Sequence, residues 1–206
     1  MKEFWNQRYE SAEYAYGIYP NEYFKNIIEA NNLQGRALFP AEGEGRNAVF
    51  AATVGFNVTA IDFSEQGRQK ALRLAHVNQV NINYIVGDLA EVSVEPESFD
   101  LVVLIFAHFN PSIRRQIHQK FQNALKVGGF IILESFSKNH LEVSKNNLRS
   151  SGPQNIDLLY TQEIISTDFD QINPIELSET ITDLSEGPFH VGTSSVIRFF
   201  GQKIAP

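Results

Sequence analysis

Five short apolar runs, separated by segments of helical periodicity, constrain this chain more than any other feature. They read "RALFP" (36–40), "FNVTAI" (56–61), "INYIVG" (82–87), "FDLVVLIF" (99–106) and "GGFIILESF" (128–136). Each is β-branched or aromatic, mostly not alternating, and bounded by Gly, Asn or Asp, as parallel strands covered on both faces should be. Ile113, Ile117, Phe121 and Leu125 recur every four residues opposite Arg114, Arg115, Gln119 and Lys120. That stripe predicts an amphipathic helix, with Gly128-Gly129 closing it as a C-cap region. Ser64 is placed to cap "EQGRQKALRLA", although Gly67 stands where a full capping box has Glu or Gln. The alternation predicts an α/β fold: a doubly wound, mostly parallel Rossmann-like sheet with helices on both faces.

The last fifth changes character. "PIELSETITDL" (174–184) and "SSVIRFFGQKI" (194–204) flank "SEGPFHVGT", which leaves no room for a helix. They predict an antiparallel C-terminal strand pair at the sheet edge, for seven strands in all. Residues 136–157 are polar and turn-rich, and a loop of that length is expected to be a lid or substrate loop.

At 206 residues the chain is expected to form one domain, 1–206, with residues 1–30 as an N-terminal segment preceding the first strand. A net charge of −7 argues against a nucleic-acid partner. No apolar run reaches membrane-spanning length, and "MKEFWNQRYESAEYAYG" has neither a secretion nor a transit pattern, so a cytoplasmic location is expected. There is no cysteine, and no two of the five histidines have ligand spacing; a metal site is not expected. Chemistry must come from oxygen and nitrogen groups or from a cofactor.

The glycine loop "AEGEGRNA" joins the first strand to a helix. Gly43-x-Gly45-x-x-Ala48, with Asp62 ending the next strand, matches a nucleoside-cofactor fingerprint whose acid accepts from ribose hydroxyls. A plain strand-to-helix turn would also carry such glycines. Glu42 and Glu44 choose between cofactors. A dinucleotide lays its diphosphate on the helix N-terminus, where two carboxylates would repel it by roughly 1–4 kcal/mol each. S-adenosylmethionine carries no phosphate; its sulfonium and ammonium are cations that glutamates suit. Arg46 could bind phosphate or, equally, the cofactor carboxylate. Asp88, after the third strand, is a second acid, placed to accept from the adenine amino group, with Phe63 and Leu89 flanking the ring.

Together the "AEGEGRN" loop, Asp62, "GDL" at 87–89, "FDLVVLIFAHF" and "ALKVGGFIILE" resemble class I S-adenosylmethionine-dependent methyltransferases. "GEGRNAVFAA", "FWNQRY…YAYGIYPNEYF" and "SEGPFHVGTSSVIRF" more narrowly resemble the small bacterial tellurite-resistance type. The resemblance implies S-adenosyl-L-methionine as cofactor, a small-molecule methyl acceptor and in-line displacement. It also implies that the N-terminal segment folds over the cofactor as a lid, with Trp5, Tyr16 and Gly17 lining the cavity. One departure stands out: Phe39 replaces the acid usual in the first strand and Ala41 the first glycine, so Glu42 or Glu44 is assigned to the cofactor's amino group.

Methyl transfer needs alignment more than a catalytic constellation. Phe106 should line the methyl end, and His108, just past the fourth strand, with His190, in the hairpin turn, are the acceptor-side candidates. His140, in the polar loop, is a weaker third; His76 and His118 are expected on helix surfaces. The competing readings are an NAD-dependent Rossmann-type oxidoreductase and a non-catalytic S-adenosylmethionine-binding protein.

Overall fold

A computed structural model describes residues 2–145 and 152–205. Seven strands form one sheet: β1 Arg36–Pro40, β2 Asn57–Asp62, β3 Asn83–Val86, β4 Phe99–Ile105, β5 Leu125–Phe136, β6 Ile172–Ser185 and β7 Val191–Lys203. Their order is β3-β2-β1-β4-β5-β7-β6. The first five are parallel to one another, and β7 inserts antiparallel between β5 and β6. The helices are α1 Lys2–Arg8, α2 Glu22–Asn31, α3 Arg46–Thr53, α4 Glu65–Val77, α5 Pro111–Ala124, α6 His140–Val143 and α7 Gln162–Asp168.

Successive strand residues point to opposite faces, so one sheet supports two cores. Leu38, Val102, Leu104 and Ile131 pack with Ile117, Phe121 and Ile165 from α5 and α7. Ala37, Phe39, Val103 and Ile132 pack with Phe24, Ile28, Ala48 and Ala71 from α2, α3 and α4. Burial on both faces is why these strands do not alternate.

The predicted cap at Ser64 forms, its hydroxyl accepting from the Gly67 N–H at 3.1 Å. Gly67 is there for space: a Cβ would lie 2.7 Å from the Gly43 carbonyl oxygen. Gly128-Gly129 does not end α5. The helix stops at Ala124, Leu125 turns to extended backbone, and the glycines fall inside β5. There the register jumps from Phe99↔Leu125 to Leu101↔Phe130, with Gly128 at φ 83°. Glycine at that position serves a bulge rather than a cap.

His118 is also not on a surface. It is fully buried, its Nδ1 2.9 Å from Asp168 Oδ2, which also accepts from Arg114 Nε at 2.6 Å. Burial would raise the Asp168 pKa, yet the hydrogen bonds from His118 and Arg114 hold it below the usual range. This cluster ties α5 to α7. His76 is exposed, as expected. The polar segment 136–157 begins inside β5 and includes α6 and the start of a 3₁₀ turn, Ile156–Leu158; residues 146–151 lie outside the described residues.

Candidate active site

A cavity of about 680 Å³ opens at the carboxyl ends of β1, β2 and β4, the crevice such sheets offer to ligands. Its floor begins with the glycine loop. Ala41 takes φ 57°, Gly43 62° and Gly45 89°, so the alanine holds the left-handed geometry a glycine would have supplied. Phe39, where an acid was missed, is fully buried against Phe24.

Helix α3 starts without a cap from Gly45. Glu42 supplies one instead: its Oε1 accepts from the Asn47 N–H at 2.9 Å and the Ala48 N–H at 2.8 Å. Two of the amides that would bind a diphosphate are therefore taken by a carboxylate of the chain itself. Burial pushes Glu42 up to about 7 against the pull of those amides and Arg46. Glu44 faces differently. It is buried and pairs with Lys70 at 2.5 Å, so its charge is balanced within the protein.

Asp62 ends β2 and organises the loop, its two oxygens accepting from Gly43 N at 3.0 Å and Ser64 N at 2.9 Å. Burial raises it to about 6 despite these bonds. Trp5 and Tyr9 stack at 5.6 Å on the α1 side, and Tyr9 makes an edge contact with Tyr16. The N-terminal segment is pressed onto the β6–β7 turn, where a Cβ on Gly187 would lie 2.4 Å from Gly17 N.

The far end of the cavity holds His108 and His190. Phe106, at φ 51°, packs on the His190 ring at 4.4 Å and on Phe136 at 4.7 Å. His190 Nδ1 lies 3.3 Å from Glu186, which also pairs with Arg46 at 2.7 Å and accepts from Asn21 at 2.8 Å. Burial would raise Glu186, but Arg46 and the His190 bond hold it at about 2. His108 Nδ1 bonds the Leu158 carbonyl oxygen at 2.8 Å. His140 packs on Phe136 at 4.4 Å, outside the cavity wall.

Of the residues singled out from sequence, Trp5, Tyr16, Gly17, Glu42, Glu44, Arg46, Asp62, Phe63, Leu89, Phe106, His108 and His190 line this cavity. Gly43, Gly45 and Asp88 do not; Asp88 is exposed and accepts from Ala90 N. Phe136 and residues 152–155, inside the segment expected to be a lid or substrate loop, form part of the wall; Leu158 and Phe189 as wall, and Glu186 as the partner of His190, had no such expectation. The "EGPFH" spacing was the available signal for that pair. Among the described residues, no group of three or more His, Cys, Asp or Glu is placed to hold a metal, and no helix is long and apolar enough to cross a membrane.

Residues 40–129 match a family described as "Methyltransferase domain". A tRNA (uracil(54)-C(5))-methyltransferase of Pyrococcus abyssi is 32% identical over 113 residues, which span 50% of this chain and 27% of that protein. TehB of Haemophilus influenzae superposes with a TM-score of 0.70 at 14% identity, covering 98% of this chain and 66% of that one. An S-adenosylmethionine-dependent methyltransferase of Methanosarcina mazei gives 0.65 at 17% identity, covering 87% and 98%. At these identities the structural likenesses are likenesses of fold.

Proposed function

Starting from the class I S-adenosylmethionine-dependent methyltransferase fold, and from the S-adenosylmethionine its methyltransferase domain implies, we propose that this chain methylates a small-molecule acceptor. The observation that carries this reading is one continuous cavity, running from Asp62 and the glycine loop to His108 and His190. Its residues fit the cofactor. Asp62, Phe63, Leu89, Tyr9 and Tyr16 line the cavity; in this reading Asp62 would accept from the ribose hydroxyls, Phe63 and Leu89 would flank the adenine, and the tyrosine rings would face the sulfonium. Glu42 Oε1 is committed to α3, which leaves Oε2 for the ammonium group. S-adenosylmethionine, when bound, supplies an activated methyl group. The chain aligns the acceptor opposite the departing sulfur and excludes water.

A small acceptor fits the enclosed volume, and the net charge of −7 disfavours tRNA, the substrate named for the Pyrococcus abyssi relative. The test is incubation with methyl-labelled S-adenosylmethionine and a panel of thiols, phenols, amines, tellurite, selenite and tRNA. Label in a small acceptor supports the proposal. Label in tRNA alone contradicts it, and cofactor binding without any transfer points to the non-catalytic reading.

A further inference from the structure

At the far end of the cavity His108 presents a hydrogen-bond acceptor. Its Nδ1 lies 2.8 Å from the Leu158 carbonyl oxygen. A carbonyl can only accept, so the ring proton sits on Nδ1 and a neutral imidazole leaves a lone pair on Nε2. That Nε2 is buried and has no partner in the protein, while the ring lines the cavity. Stacking on Phe136 at 5.7 Å and on Tyr160 at 5.5 Å holds the ring plane. A buried acceptor without a donor is destabilising, and a ligand N–H, O–H or S–H would relieve it.

Resting on the methyltransferase reading above, we propose that the acceptor is a protic nucleophile (thiol, phenol, alcohol or amine) whose X–H group donates to His108 Nε2. Selenite and tellurite, monoanions at pH 7, would bring their negative charge up to a lone pair. The imidazole stays neutral because burial, helped by His190 and His140 nearby, pushes its pKa down to about 4. The cations along the wall are engaged elsewhere: Arg46 by Glu186, and Arg8 over the Phe189 ring at 4.1 Å.

The step balances. As the X lone pair forms the bond to the transferred methyl carbon, the C–S bond breaks and its electron pair stays on the thioether sulfur. The X–H proton passes to Nε2, giving an imidazolium that returns it to solvent.

Two measurements test this. Long-range ¹⁵N–¹H correlation spectra at pH 7, with the His108 signals assigned by their loss in His108→Phe, should show a neutral ring protonated on Nδ1. A proton on Nε2, or an imidazolium, overturns the proposal. In the labelled panel, protic acceptors should be methylated in preference to selenite and tellurite, and His108→Phe should lose about 10²–10⁴-fold in their turnover while S-adenosylhomocysteine still binds. Preferential methylation of an oxyanion refutes the substrate class but leaves the methyltransferase reading intact. Failure of S-adenosylhomocysteine to bind the wild type removes that reading instead. Should no panel member turn over, the tautomer decides: Nε2 protonation ends the proposal.

Discussion

Lys70 and Glu44 form an ion pair 2.5 Å long, with both side chains about 95% or more buried. The same ammonium donates to the carbonyl oxygens of Ser11 and Glu13 at 2.8 and 2.6 Å, so one side chain of α4 fixes the glycine loop and the N-terminal segment together. Removing one member strands the other's charge in the interior. Lys70→Met should therefore lower unfolding stability in urea by about 3–5 kcal/mol. Adding Glu44→Gln should return part of that loss, the signature of a coupled pair. A loss in Lys70→Met of under about 1 kcal/mol would mean the pair is solvated.

Glu42 gives a pH prediction whose sign follows from its raised pKa. The unfolded carboxyl titrates near 4.5 and the folded one near 7. Between these values the folded state binds more protons, so stability contributed by Glu42 is full below about 4.5 and is lost as pH rises to about 7. Glu42→Gln keeps an oxygen for the Asn47 and Ala48 amides but cannot titrate. The wild type minus Glu42→Gln difference in stability should fall across that window and flatten above it. A difference that is flat throughout would show that Glu42 titrates alike in both states.

Asp168 should prove structural. Asp168→Ala leaves Arg114 and buried His118 without their shared partner and is expected to cost about 3–5 kcal/mol in thermal or urea unfolding. S-adenosylhomocysteine affinity, measured at a temperature where the variant is folded, should be unchanged because Arg114, His118 and Asp168 are not among the residues that line the cavity. A loss of affinity with intact folding would connect this cluster to the site.

The legible parts of the sequence were those governed by local pattern. The apolar runs located β1 to β4 within a residue or two, because burial on both faces leaves a continuous signature. The terminal pair was visible in its strand periodicity and short connection. The glycine loop, Asp62 and the Ser64 cap could be read because spacing along one chain segment specifies them. What stayed hidden depends on partners distant in sequence. His118 looks like a surface residue until Asp168, fifty positions on, is folded against it. Glu44 looks like a free charge until Lys70 arrives from the next helix. The two loop glutamates look like free charges facing a ligand, but each has a partner within the chain: Glu42 accepts from amides of α3 and Glu44 pairs with Lys70. Nothing local distinguished Gly128-Gly129 as a bulge from a helix stop, since both ask for glycine.

The central claim is that the glycine loop and Asp62 receive a nucleoside without a diphosphate. Calorimetric titration with S-adenosylhomocysteine and with NAD, on wild type and Asp62→Ala, tests it most directly. The account predicts saturable binding of S-adenosylhomocysteine, weakened by about 1–3 kcal/mol in Asp62→Ala, and no NAD binding. Saturable NAD binding without S-adenosylhomocysteine binding would contradict it.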